Sequence, residues 1–136
     1  MILFLDACVV IYWMETAEPF YSRFMAKLRT FYQQDPRTEI AVSRLSHLEC
    51  LVKPLQADDQ TLLNNYRAYF TSPGLRIVEL NSSIMEQAAV LRANYRGLRT
   101  PDAIQAACAL SLTGEVVFLT GDVRFAKVPE LRIVRL

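Results

Sequence analysis

The chain opens Met1-Ile2-Leu3-Phe4-Leu5-Asp6. A strand with one face in water alternates apolar and polar residues. An unbroken apolar run of this length is what a strand covered on both faces requires, as in a parallel sheet. Asp6 ends the run and lies just past the end of that strand.

Outward from this segment the chain alternates strand and helix. Further strands are predicted at Ile40–Val42, Leu75–Leu80, Val116–Leu119 and Leu131–Val134. Helices are predicted at about Ala7–Met14, Phe20–Phe31, Arg44–Lys53, from Asp58 or Asp59 to Phe70, from Asn81 or Ser82 to Tyr95, and from Thr100 to Thr113. Pro19 stands in a tolerated first-turn position, Ser43 and Thr100 can cap the helices they precede, and Pro54, Gly97 and Gly114 read as stops. Strands separated by helices make an α/β architecture with a mostly parallel sheet covered on both faces. In such sheets ligands bind beyond the carboxyl ends of the strands, where the strand order reverses. Asp6 follows the first strand and Asp122 follows the fourth. Without a repeat or linker, the 136 residues read as one domain, 1–136.

Composition narrows the chemistry. Hydrophobic residues make up 52% of the chain, enough for a core, and the net charge is only +1. A broad counterion-release grip on nucleic acid is therefore excluded, so any such binding needs a local patch or a bound cation. Residues 91–136 carry seven Lys/Arg against four Asp/Glu, and residues 1–90 carry eight against ten. Cys8, Cys50 and Cys108 are widely spaced and the one histidine is His47, which disfavours zinc and suits buried thiols in a reducing compartment. No apolar run approaches the ~20 residues of a membrane span, and the start lacks the basic region of a signal peptide. The expectation is a cytoplasmic protein without membrane association.

Asp6, Asp102 and Asp122 can each be explained as helix-terminal acids. The helix behind Asp102 is apolar almost all round, with Ala103, Ile104, Ala106, Ala107, Cys108, Ala109, Leu110 and Leu112, so it should be buried and open Asp102 onto a crevice. Glu49 resists a surface reading. Leu45, Leu48 and Val52 define a core face, at about 100° per residue Glu49 falls beside it, and a glutamate so placed needs a partner. His47 points away from that face and reads as solvated. Converging carboxylates raise one another's pKa, and a divalent cation relieves that cost. Oxygen ligands without histidine or thiolate suit Mg²⁺ or Mn²⁺. Such a site can activate water and stabilise charge on a phosphoryl group. The chain lacks a GxxxxGK[ST] loop and a GxGxxG turn, and Asp6 stands without the paired acid of a receiver-type signalling domain.

Four segments carry a resemblance: Ile2-Leu3-Phe4-Leu5-Asp6, Val42-Ser43-Arg44-Leu45-Ser46-His47-Leu48-Glu49, Arg99-Thr100-Pro101-Asp102-Ala103-Ile104-Gln105-Ala106-Ala107, and Phe118-Leu119-Thr120-Gly121-Asp122-Val123-Arg124-Phe125. In this order and length they resemble the PIN-domain nucleases, and among them the toxin ribonucleases of VapBC toxin–antitoxin pairs. The resemblance implies a five-stranded parallel sheet of order 3-2-1-4-5, Mg²⁺- or Mn²⁺-dependent cleavage of RNA phosphodiesters, homodimerisation and inhibition by a cognate antitoxin. It also implies Asp6 and Asp102 as principal metal ligands, completed by Glu49 and Asp122. The family often has a hydroxyl residue directly after the first acid, where this chain has Ala7.

Thr120 is a candidate to hold Asp122 or a phosphate oxygen. Arg92 and Arg96 share a helix face and Arg99 leads into the Asp102 segment, so these three are candidates for RNA phosphates. The aromatic residues Tyr12, Trp13, Phe20, Tyr21 and Phe24 offer core packing and a possible groove for an antitoxin helix. The alternative function is a catalytically silent PIN-like module that binds RNA or protein.

Overall fold

The computed structural model describes residues 1–136, apart from the side chain of Ala126. The elements run β1 (Ile2–Leu5), α1 (Ala7–Met14), α2 (Phe20–Gln34), β2 (Glu39–Ser43), α3 (Arg44–Gln56), α4 (Gln60–Phe70), β3 (Leu75–Val78), α5 (Ser82–Asn94), α6 (Thr100–Leu110), β4 (Val116–Thr120) and β5 (Ile133–Arg135). A short 3₁₀ helix, Val123–Lys127, joins β4 to β5. The five strands form one parallel sheet of order β3-β2-β1-β4-β5, as expected.

The apolar opening of the chain has a direct structural meaning. Ile2 and Phe4 point to one face of the sheet, into a core shared with α5 and α6. Leu3 and Leu5 point to the other, into a core shared with α1 to α4. β1 is central, so it is apolar at every position. On the first face Ala103, Ala106 and Ala107 are fully buried, and these short side chains let α6 lie close to β2 and β4.

The caps at Ser43, Asp59 and Asn81 form as predicted, each accepting a backbone N–H from the first turn of its helix. Thr100 does not cap α6. It is the first helical residue, and its hydroxyl instead accepts from Arg92 Nη1 at 2.9 Å. Pro54 does not end α3 either, which runs on to Gln56. The proline forfeits one backbone donor, and the turn closes through the Ala57 N–H to the Lys53 carbonyl at 3.0 Å.

The larger correction concerns the rotation of α3. Leu48 is 61% exposed and Val52 43%, so the leucine face is not the core face. The buried positions are Ser46, Cys50 and Pro54. A polar network around Gln105 draws Ser43 and Ser46 inward and outweighs the hydrophobic pattern of the helix. His47 is half-buried, not solvated: its ring stacks on Phe70 at 4.7 Å and its Nδ1 lies 3.1 Å from Arg44 Nη1. Burial first, then the Arg44 charge, pushes its pKa below the ordinary histidine value.

Candidate active site

The sheet order reverses between β1 and β4, and the carboxyl ends of these strands open into a cleft of about 530 Å³. Asp6, Glu49, Asp102 and Asp122 all line it. Four separate elements deliver them: the β1–α1 junction, α3, the first turn of α6, and the turn after β4.

Asp6 is buried and is held by three donors. Its Oδ1 accepts from the Ala7 N–H at 2.8 Å, and its Oδ2 accepts from Thr120 Oγ1 at 2.8 Å and from Cys8 Sγ at 3.4 Å. Orientation that a hydroxyl at position 7 could supply comes instead from the opposite strand. Thr120 is fully buried and its Oγ1 also accepts from the Asp122 N–H at 2.9 Å, so one hydroxyl fixes both Asp6 and the Asp122 turn. Burial raises the Asp6 pKa above its ordinary 3.8 in spite of the three donors, and the Asp102 charge adds to the rise.

Glu49 has the partner its position demands. Gln105, almost fully buried on α6, donates from Nε2 to Glu49 Oε1 at 3.0 Å and to Ser46 Oγ at 3.0 Å. Its Oε1 accepts from Ser43 Oγ at 2.9 Å. One amide thus ties the start of α3 to α6 and holds Glu49 towards the cleft. Burial, then Asp6 and Asp102, raises the Glu49 pKa above its ordinary 4.5.

Asp102 is buried in the first turn of α6, where the helix dipole favours an anion. Its Oδ2 is shielded from solvent yet accepts no hydrogen bond. The nearest cations are Arg99 Nε at 3.6 Å and Arg124 Nη1 at 3.8 Å. Asp122 caps the 3₁₀ helix by accepting from the Arg124 N–H at 2.9 Å. The Arg124 side chain also binds it, and this contact holds the Asp122 carboxyl below its ordinary 3.8. Among the described residues, no three His, Cys, Asp or Glu side chains are gathered closely enough to hold an ion in this arrangement.

The candidate arginines are placed differently from one another. Arg99 lines the cleft. Arg92 donates to the Leu98 carbonyl at 3.1 Å and to Thr100, bracing the loop that presents Asp102. Arg96 lies outside the cleft lining.

Four residues that line or support the cleft were not among the sequence-predicted site residues. Gln105 carried a signal, a lone polar residue in an otherwise apolar helix. Cys8 faces Asp6, Thr120 and the Gly121 N–H and is not merely core filler; burial pushes its thiol up to about 12. Tyr12 packs over Gly121, where a β-carbon would stand 3.0 Å from the phenol oxygen, so close approach explains that glycine. Arg124 had no local signal.

The chain matches the sequence profile of the PIN domain over residues 3–131. It belongs to the PIN-domain family. The PIN domain here is similar in structure to VapBC2 from Rickettsia felis bound to a promoter DNA fragment, with TM-score 0.73 and 16% identity over 99% of this chain and 98% of that one. It is also similar to a toxin–antitoxin complex from Klebsiella pneumoniae, with TM-score 0.72 and 20% identity over 97% and 95% of the two chains. VapBC-1 from nontypeable Haemophilus influenzae gives TM-score 0.71 and 21% identity over 99% and 98%. At these identities the likeness is one of fold. No curated protein matches the sequence.

The acids couple the fold to pH in opposite senses. Asp6 and Glu49, with raised pKa values, bind more protons folded than unfolded, so stability is lost as pH rises from their ordinary values through the raised ones. Asp122, with a lowered pKa, adds stability above its ordinary value that is lost on acidification.

The Gln105 network yields a stability prediction. Gln105→Leu keeps the volume but leaves Ser43, Ser46 and Glu49 without their partner. The expected loss is about 1–3 kcal/mol in urea unfolding. A change within a few tenths of a kcal/mol would show that the amide is not what orients α3.

Proposed function

We propose that this PIN domain is a divalent-cation-dependent endoribonuclease that cuts RNA phosphodiesters, and that it is the toxin of a toxin–antitoxin pair. The observation that carries the reading is Asp102, which lines a cleft with three other carboxylates and whose buried Oδ2 accepts no hydrogen bond. Arg99 and Arg124 stand 3.6 and 3.8 Å from this oxygen, too far to hydrogen-bond it, so the cost of burying its charge is only partly offset. The donors around it are carboxylate oxygens with no histidine in the lining, which suits Mg²⁺ or Mn²⁺. Family membership and the toxin–antitoxin assemblies among the structural neighbours support the same reading.

Asp6 and Asp102 would be the principal ligands of the ion, with Glu49 and Asp122 completing the set directly or through water. When bound, the ion lowers the pKa of water and offsets charge on the scissile phosphate. Thr120 holds Asp6 through Oδ2, and Gln105 holds Glu49 through Oε1. Arg99, 64% exposed at the rim, is placed to meet an RNA phosphate.

Two partners follow from the same reading. The antitoxin would meet the aromatic surface of α1 and α2, where Tyr12 stacks on Phe20 at 4.4 Å and also lines the cleft. A second copy of the chain would cover the apolar strip of α3, where Leu48, Val52 and Leu55 are 61%, 43% and 55% exposed. Leu48→Glu should convert a dimer to a monomer in size-exclusion chromatography with light scattering; an unchanged mass would remove α3 as the interface.

The activity is tested with the full chain and a labelled single-stranded RNA. Cleavage should require Mg²⁺ or Mn²⁺, stop in EDTA, and fall more than about a hundredfold in Asp102→Asn. Cleavage that survives Asp102→Asn would place the chemistry elsewhere. RNA binding by the wild type without metal-dependent cleavage would favour a silent binding module.

A further inference from the structure

The acids of the cleft already have a cationic partner from within the chain. Arg124 Nε lies 3.0 Å from Asp122 Oδ1 and 2.8 Å from Oδ2, and Nη2 also binds Oδ2. The same guanidinium reaches towards the second acid: Nη1 is 3.8 Å from Asp102 Oδ2, the oxygen that accepts no hydrogen bond. Arg124 therefore spans two of the four carboxylates and engages both oxygens of one. A carboxylate held by a guanidinium through both oxygens must give up part of that contact to ligate an ion.

The contact can be broken. The Arg124 side chain is 38% exposed, with solvent on one side, and it hangs from a short 3₁₀ helix and not from a packed α-helix. The Asp102 contact is long and carries no hydrogen bond. A planar guanidinium released at the rim of an anionic cleft presents a fork of donors that matches phosphate oxygens.

On the nuclease reading above, we propose that Arg124 is an internal counter-ion that a divalent cation displaces from Asp122 and Asp102, and that the freed guanidinium then meets an RNA phosphate. The metal-free site is held closed by its own arginine. Apparent metal affinity is lowered by the fraction of molecules in which Arg124 still occupies Asp122.

The test begins with Mn²⁺ alone, its free concentration followed by electron paramagnetic resonance. Wild type is compared with Arg124→Ala, Arg124→Gln and Arg37→Ala. Arg37 is a control of equal charge, 93% exposed on the loop before β2. Both Arg124 variants should bind Mn²⁺ about fivefold more tightly, the upper range for a partly exposed ion pair, and Arg37→Ala should match wild type. Binding of a 2′-O-methyl RNA, checked to stay uncut, is then measured across a salt series. At saturating Mn²⁺ the log–log slope should shrink by about 0.7 in Arg124→Ala, the value for one lost phosphate contact on a single strand, and without Mn²⁺ it should match wild type. Equal or weaker Mn²⁺ binding by the Arg124 variants overturns the proposal and leaves the nuclease reading standing. So does a slope change that is the same with and without Mn²⁺. Failure of every form, wild type included, to bind Mn²⁺ overturns both.

Discussion

Ile2 to Leu5 of β1 lie beside Val116 to Leu119 of β4 in parallel register, and the site is built on that pairing. It puts the residue after β1 next to the last residue of β4, so Thr120 reaches Asp6 at 2.8 Å across the strand ends. The same hydroxyl fixes the Asp122 turn. Slipping either strand by one residue would put Asp6 and Thr120 on opposite faces of the sheet and separate Asp6 from its main side-chain donor. Both faces of β1 are packed into apolar cores, Ile2 and Phe4 on one side and Leu3 and Leu5 on the other.

The second constraint is electrostatic. The fold brings carboxylates from four elements to one cleft, where desolvation and neighbouring acids act against ionisation of Asp6 and Glu49. Each acid has its own answer. Asp6 takes three donors, Glu49 takes one amide, Asp122 takes an arginine, and Asp102 keeps one oxygen with no hydrogen bond at all. Among the described buried side-chain atoms only Asp102 Oδ2 and the Tyr69 hydroxyl lack a hydrogen-bond partner, and the Asp102 charge is met only by the longer contacts of Arg99 and Arg124, at 3.6 and 3.8 Å.

The sheet was legible in the sequence because its signals are short-range. Unbroken apolar runs mark central strands, and Ser43, Asp59 and Asn81 mark helix starts. The strand order came through the resemblance alone, since nothing local encodes which strands are neighbours. The convergence of the four acids followed from that order. The rotation of α3 was misread because a leucine strip normally faces inward. Here Gln105, more than fifty residues away in sequence, hydrogen-bonds Ser43, Ser46 and Glu49 and turns the polar side in. Glu49 lines the cleft for a reason the leucine pattern does not give: it borders the buried face of Ser46 and Cys50. Arg124 was missed because its role depends on a 3₁₀ turn that brings it back onto Asp122 and towards α6, a geometry with no sequence periodicity.

The central claim is that these acids together hold a divalent cation, and its most direct test is thermal unfolding with and without Mg²⁺ across pH. Protons and the ion compete for Asp6 and Glu49, whose pKa values are raised. Stabilisation by Mg²⁺ should therefore be small at the ordinary carboxyl pKa values, grow as pH rises through the raised ones, and level off above them. A stabilisation of equal size at every pH, or none at neutral pH, would contradict the account.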